Sequence, residues 1–153
     1  VSSNMVWKPN VTVAAIVERD NRFLLVEEKT RDGVRLNQPA GHLEANESLV
    51  AAVRREALEE TAHDFTPEKI TGIYRWVKPG SEITYLRFAF SGILGQHHPD
   101  RQLDVGIIRT VWLTLEEILA SAARHRSPLV VRCVEDFLAG RQFAMDALVN
   151  CTG

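Results

Sequence analysis

Apolar residues recur with two periods along the chain, and the change of period separates predicted strands from predicted helices. β-branched and apolar runs on both sides of Asp20-Asn21 predict a β-hairpin, and aromatic and β-branched runs around Pro79-Gly80 predict a second pair of strands. The strand segments predicted in this way are 11–17, 23–26, 70–77, 85–93 and 107–113. These segments are the expected members of the sheet.

The segment from Asn46 to about Thr61 predicts a helix of about four turns, because it is rich in Ala, Leu, Glu and Arg and contains no Gly or Pro. Asn46 is the expected N-cap. Glu47 would then lie in the first turn, where a negative charge complements the helix dipole.

Two shorter helices are predicted near the C-terminus. Thr114 is expected to cap one that runs through Ala123, and Ser127-Pro128 to open another that ends near Gly140. Strands interleaved with isolated helices are typical of a mixed-sheet α/β or α+β domain with helices packed on the sheet.

Composition limits the classes of function. The chain has 153 residues, of which 45% are hydrophobic and 25% charged, which predicts a single globular domain over residues 5–153. Its net charge of −2 disfavours general nucleic-acid binding. Cys133 and Cys151 fit no metal or redox spacing, and we expect reduced thiols.

The sequence also predicts no targeting segment. No apolar run suits a membrane span or a signal peptide, so the expected compartment is the cytoplasm, as a monomer or a homodimer with no membrane partner. We expect Met5 to be the natural initiator and residues 1–4 to be left over from expression cloning.

Three glutamates stand out on the first predicted helix. At about 100° per residue, Leu49, Val53 and Ala57 form one apolar stripe. With Val53 at zero, Glu60 falls at about −20°, inside the stripe, while Glu56 falls at about −60° and Glu59 at about −120°. The three carboxylates are therefore expected to share one sector beside the buried side, where like charges repel.

Clustered carboxylates without a neighbouring His or Cys favour Mg²⁺, with Mn²⁺ as an alternative, and Mg²⁺ in turn favours a phosphate substrate. Gly41 precedes the helix, and its carbonyl could join the metal shell. The alternative interpretation is a solvated acidic face that is neutralised by Arg54 and Arg55.

The spacing of these residues resembles a known signature. Gly41, five residues, Glu47, seven residues and then Arg55-Glu56-Ala57-Leu58-Glu59-Glu60-Thr61 are similar to the Nudix box, the motif of hydrolases that cleave nucleoside diphosphates linked to another moiety. The chain departs from the box at Ala62 and His63, where the family usually has Gly and an aliphatic residue. No proposed ligand is lost by this departure.

The resemblance implies a fold and a set of roles. The fold would be a Nudix α/β/α sandwich with a central mixed sheet. Glu56 and Glu60 would be the main metal ligands, with Gly41 beside them, and Glu59 would be a further ligand or the catalytic base. Arg55 would orient these groups while paired with Glu47. Asp104, in a loop before the last strand, is an alternative base, although a solvated loop is the favoured interpretation of that segment.

Substrate contacts are expected near the box. Lys29, Arg31 and Arg35 could hold phosphates, and Tyr74, Trp76 and Tyr85 could stack on a ring. Each group also has a structural alternative. The cations could be solvated loop charges, and the aromatic residues could be sheet packing.

Segments 37–44 and 126–130 further resemble bacterial phosphatases within the family. This implies release of orthophosphate from nucleoside tri- and diphosphates or from hydroxymethylpyrimidine diphosphate and thiamine diphosphate. One alternative is a Nudix pyrophosphohydrolase for ADP-ribose, a dinucleoside polyphosphate or a modified nucleotide. The second is a nucleotide-sensing Nudix domain without catalysis.

Overall fold

Two four-stranded sheets form the centre of the computed structural model, which describes residues 5–152. Residues 1–4, interpreted above as a cloning remnant, lie outside the described residues. The strands are β1 (Asn10–Ile16), β2 (Glu18–Arg19), β3 (Arg22–Thr30), β4 (Gly33–Asn37), β5 (Ala40–His42), β6 (His63–Val77), β7 (Thr84–His97) and β8 (Ile107–Thr114).

The first sheet is mixed and has the order β5-β1-β7-β6. Its central pair, β1 and β7, is parallel, and the two outer pairs are antiparallel. The second sheet is antiparallel, with β2, β4 and β8 all paired to β3. Helices pack around these sheets, so the predicted α/β class with a central mixed sheet is confirmed.

The predicted hairpin around Asp20-Asn21 is correct at its turn and wrong in its extent. Both turn residues have positive φ, 53° and 63°, as a tight two-residue hairpin turn requires. However, the pairing with the start of β3 is limited to Glu18–Arg19 and the Val17 carbonyl, which accepts from the Leu24 N–H, because β1 lies in the mixed sheet between β5 and β7. The partners of β1 come from distant segments, which local periodicity does not reveal.

Three α-helices are observed in residues 5–152: α1 (Leu49–Thr61), α2 (Leu115–Ala120) and α3 (Leu129–Leu138). The prediction that Asn46 caps α1 is wrong. Ser48 is the N-cap, and its hydroxyl accepts a hydrogen bond from the Ala51 N–H, whereas Asn46 adopts a turn conformation with φ 63°. Glu47 therefore precedes the helix instead of lying in its first turn.

The C-terminal helices follow the prediction with shorter bounds. Thr114 caps α2 in a capping box with Glu117, but α2 ends at Ala120 and a separate 3₁₀ turn covers Ala122–Arg124. Just before α3, the Ser127 hydroxyl accepts a hydrogen bond from the Leu129 N–H. No helix in the described residues has the length and apolar character needed to cross a bilayer.

Apolar packing on both faces of the mixed sheet positions the helices. Alternate residues of β1 divide between two clusters: Val13 and Ala15 pack with Val53 and Ala57 of α1, whereas Ala14 packs on the opposite face in the cluster that includes α3. The apolar stripe predicted for α1 therefore faces the sheet, as the helical period requires.

The end of α1 shows how the helix terminates without the glycine that the Nudix box usually has. Ala62 adopts the left-handed conformation itself, with φ 56° and ψ 27°, and its N–H donates to the Leu58 carbonyl at 2.9 Å. The helix terminus is thus retained with alanine in a conformation that costs about 1 kcal/mol relative to glycine.

Ala62→Gly is expected to stabilise the protein, because glycine adopts this conformation without the Cβ penalty. A gain of about 1 kcal/mol corresponds to a rise of roughly 2–4 °C in Tm for a chain of this size. Thermal denaturation measures it. Ala51→Gly, at an exposed position of the same helix, is the matched control and should lower Tm. A lower Tm for Ala62→Gly would contradict the strain argument.

Candidate active site

Strand β5 and helix α1 meet at Gly41. A Cβ built on Gly41 would overlap the carboxylate of Glu56, so only glycine leaves room for that side chain beside the backbone of β5. One residue earlier, the Ala40 N–H donates to Glu60 Oε1 at 3.0 Å. The edge of the mixed sheet therefore holds both carboxylates in place.

Arg55 ties the other acidic groups together. Its Nε donates to Glu47 Oε2 at 2.6 Å, and its Nη2 donates to Glu47 Oε1 at 3.0 Å. Nη1 donates to both Glu56 Oε1 and Glu59 Oε1 at 2.8 Å. This bidentate pairing fixes the guanidinium plane, and through it the direction of the carboxylates.

Glu56 and Glu60 are buried, at 8% exposure each. Burial raises the pKa of Glu60 to about 8, and the neighbouring charges of Glu56, Glu28 and Asp104 add to the shift. Burial also raises the pKa of Glu56, although Arg55 opposes that shift. Like charges in a partly dry site favour a bound cation, which would compensate them.

These residues line a cleft of about 430 Å³. Its acidic lining residues are Glu28, Glu44, Glu56, Glu60 and Asp104. The lining also includes the cations Lys78, Arg87 and Arg126 and the ring residues His42, Trp76 and Tyr85. A ligand with both phosphate and a flat ring would match these residues.

An aromatic pair forms one wall of the cleft. Trp76 of β6 and Tyr85 of β7 are paired across the strands, with ring centroids 5.7 Å apart and planes inclined by 23°. The His42 ring is 6.4 Å from Tyr85. Stacked, partly exposed rings offer a surface for a heteroaromatic group.

The remaining predicted residues are placed differently. Tyr74 turns towards α3, where its hydroxyl donates to Asp136 Oδ2 at 2.8 Å, so it is not brought to the cleft. Lys29 is exposed, and Arg35 lies beside Glu28 on the neighbouring strand; neither is among the cleft-lining residues. Glu59 contacts Arg55 and also lies outside the lining, whereas Asp104 lines the cleft.

Sequence reasoning missed several charged residues of the cleft, among them Glu28 and Arg87. Glu28 lies at a β-bulge of β3 and pairs with Arg126 Nη1 at 2.7 Å. Arg87 is buried within β7 and lines the cleft floor. An arginine inside the apolar run Leu86–Phe90 is itself a signal, because unpaired charges are seldom buried without a role.

The site suits a divalent cation that takes only some of its ligands from the protein. Within residues 5–152 no three His, Cys, Asp or Glu side chains are grouped so that they could hold a metal ion by themselves, and Glu56 and Glu59 both bond to Arg55. Mg²⁺ needs only one or two carboxylates when substrate phosphates complete its shell. The Glu56 and Glu60 carboxylates can meet this need, whereas Gly41 pairs with Val13 in the antiparallel ladder between β5 and β1.

The sequence model of the NUDIX domain family matches residues 8–133. The chain belongs to the Nudix family. The match covers the strands, the box helix and the loop before it, so the geometry above is that of a Nudix domain.

Individual relatives agree with the family. Phosphatase NudJ of Escherichia coli strain K12 is 38% identical over 142 residues, which cover 93% of this chain and 92% of NudJ. The NUDIX hydrolase structure from Nitrosomonas europaea is 52% identical with a TM-score of 0.92, covering 94% of this chain and 98% of that one. A MutT protein structure from Methanosarcina mazei Go1 is 25% identical with a TM-score of 0.67, covering 90% and 99%.

These similarities identify a hydrolase that acts on phosphoanhydrides. Nudix hydrolases generally use divalent metal ions, which agrees with the carboxylates found on α1. The family also points to a small nucleotide-like substrate.

Proposed function

We propose that this Nudix hydrolase uses Mg²⁺ to release orthophosphate from nucleoside tri- and diphosphates or from thiamine-pathway diphosphates. The observation that carries the proposal is the pair of buried carboxylates, Glu56 and Glu60, held beside Gly41 at one end of a cleft that also contains an aromatic wall. The similarity to Phosphatase NudJ supports orthophosphate as the product.

The residues of the cleft have different roles in the proposed phosphoanhydride hydrolysis. Glu56 and Glu60 would hold the cation, which would supply charge neutralisation at the phosphoryl group and lower the pKa of a bound water. Arg55 positions Glu56 through its Nη1 bond, and Glu47 anchors Arg55 from the opposite side. Trp76 and Tyr85 would hold the ring of the substrate.

A carboxylate must accept the proton of the attacking water. Asp104 is exposed and lines the cleft, and its backbone N–H is anchored to the Glu59 carbonyl at 2.8 Å. The Glu59 carboxylate, in contrast, is engaged by Arg55. We therefore favour Asp104 over Glu59 as the base, and a pH–rate profile of Asp104→Asn tests this assignment.

Product analysis over a substrate panel tests the proposal. The panel contains nucleoside tri- and diphosphates, thiamine diphosphate, ADP-ribose and a dinucleoside polyphosphate, with Mg²⁺ and separate assays for orthophosphate and pyrophosphate. Orthophosphate from the simple tri- and diphosphates is the expected result. Monophosphate products from ADP-ribose or the dinucleotide would instead indicate a Nudix pyrophosphohydrolase, and binding without turnover would indicate a nucleotide sensor.

The raised pKa of Glu60 predicts a pH-dependent stability in EDTA. Between the ordinary value of 4.5 and about 8, the folded protein holds a proton that the unfolded chain has lost. The contribution of Glu60 to the free energy of unfolding therefore falls as the pH rises through this range. Thermal denaturation at pH 6 and pH 8 should show a smaller loss of Tm for Glu60→Gln than for the wild type.

The same shift predicts proton release on cation binding. A metal bound at Glu60 requires the carboxylate form, so Mg²⁺ binding at pH 7 should expel a proton. Calorimetric titrations in buffers of different ionisation enthalpy measure the number released. An equal number for the wild type and Glu60→Gln would contradict the placement of the cation at Glu60.

A further inference from the structure

Arg87 is the least exposed cation of the cleft, at 5% exposure. Its Nη1 donates to Gln38 Oε1 and its Nη2 to Asn37 Oδ1, both at 2.9 Å. Gln38 is oriented in turn, because its Nε2 donates to the Val130 carbonyl at 2.9 Å. The guanidinium is thus held by two amide oxygens from the end of β4 and the residue after it.

No carboxylate among the described residues forms an ion pair with Arg87. Besides the two amides, Nη1 contacts Cys133 Sγ at 3.8 Å. Burial raises the pKa of the Cys133 thiol, which keeps it neutral near pH 7. A buried guanidinium with only neutral partners is costly, and an anion arriving with a ligand would compensate it.

The position of Arg87 in the sheet indicates which part of a ligand it meets. In the order β5-β1-β7-β6, the Glu60 carboxylate is bound to the first strand at Ala40, Arg87 is on the third, and Trp76 is on the fourth. With strands about 4.8 Å apart, Arg87 lies roughly 10 Å across the sheet from β5.

The register along the strands gives the same order. Trp76 pairs with Tyr85 in one row, Thr12 pairs with both Arg87 and His42 in the next, and Ala14 pairs with both Ala40 and Ala89 in the row after that. Rows of side chains on one face are about 6.7 Å apart. Projected onto the sheet, Arg87 therefore lies between Trp76 and Ala40, the residue whose N–H binds the Glu60 carboxylate.

We propose that Arg87, held by Asn37 and Gln38, binds the phosphate group attached to the organic moiety of the substrate. This inference rests on the proposed function for its substrate class. A ring on Trp76 and a reacting phosphoryl group at Glu56 and Glu60 leave the intervening phosphate opposite Arg87. The guanidinium offers that phosphate charge-assisted hydrogen bonds, which lysine at the same position reproduces only in part.

Equilibrium binding in EDTA separates this proposal from the catalytic one, because it needs no turnover. The probes are the nucleoside diphosphate that turns over best, or ADP if none does, together with the matching monophosphate and the unphosphorylated nucleoside. Arg87→Gln should weaken the binding of both phosphorylated probes by roughly 10- to 100-fold and leave the nucleoside unchanged. Arg87→Lys should recover part of the loss. Arg75→Gln, an exposed position on neighbouring β6, is the control.

Asn37→Asp tests the same site in a variant that should fold. A carboxylate in place of the amide would give Arg87 an internal counter-ion, so Tm should be unchanged or higher while phosphate binding falls as it does in Arg87→Gln. Full binding in Asn37→Asp would overturn the proposal. So would an equal loss of nucleoside and nucleotide binding in Arg87→Gln, or the absence of measurable nucleotide binding by the wild type.

If the wild type binds the phosphorylated probes through Arg87 but hydrolyses nothing in the panel, the anion site stands and the proposed function fails. If turnover is found and Arg87→Gln leaves KM and nucleotide binding unchanged, the proposed function stands and the anion site fails. If the protein has both the hydrolytic activity and the anion site, Arg87→Gln should raise KM more than it lowers kcat. The hydrogen bonds from Arg87 to the phosphate would be present in the substrate complex and in the transition state alike.

Discussion

Glu56→Gln and Glu60→Gln are each expected to lower kcat by roughly 10²- to 10³-fold. Each change replaces a buried carboxylate of nearly the same shape with a neutral amide, so the cleft keeps its form while it loses a charged oxygen donor for the cation. Orthophosphate release at saturating Mg²⁺ measures the effect. A higher Mg²⁺ requirement should accompany the loss, because the remaining carboxylate binds the ion more weakly.

Glu116→Gln is the matched control, since Glu116 is exposed on α2. It should leave turnover within about twofold of the wild type. Neither active-site variant should lose Tm in EDTA at pH 8, because each removes a like charge from a crowded group. Near-normal kcat in both Glu56→Gln and Glu60→Gln would show that the reaction occurs elsewhere.

Gly41→Ala is expected to have the second-largest effect, a loss of roughly 10²-fold in kcat. The new Cβ would occupy the space of the Glu56 carboxylate, which must then swing away from β5. Because the obstructed group is the far end of a flexible side chain, the fold should tolerate the change, with Tm altered by no more than roughly 2 °C.

Gly95→Ala adds the same methyl group to β7 at an exposed position, where the nearest atom is Asp64 Cβ at 3.3 Å. It should change neither kcat nor the Mg²⁺ requirement. If Gly41→Ala lowers Tm as steeply as it lowers kcat, the glycine serves the backbone and not the placement of Glu56.

Helix α1 was predictable because the pattern that determines it lies within one short segment of the sequence. The 3.6-residue period placed Val53 and Ala57 on the sheet and Glu60 within the same stripe, and the structure shows Val53 and Ala57 in the core and Glu60 buried. Its start was misplaced by two residues, since Asn46 and Ser48 are both good caps and only the turn conformation of Asn46 distinguishes them.

The sequence did not predict features that depend on distant pairing. The alignment of β1 beside β7 joins segments more than seventy residues apart in the chain, and it is this pairing that brings Thr12 level with Arg87. Tyr74 and Trp76 are two residues apart on one strand and look equivalent in sequence. Asp136 of α3 engages Tyr74 and leaves Trp76 to the cleft.

We expect the cleft at Glu56 and Glu60 to hydrolyse a terminal phosphoanhydride. A ³¹P NMR time course of a nucleoside triphosphate with Mg²⁺ and the wild-type protein tests this directly. A nucleoside diphosphate and orthophosphate are the expected first products, with no reaction in EDTA. A nucleoside monophosphate with pyrophosphate, or an unchanged spectrum under conditions where the nucleotide is bound, would contradict it.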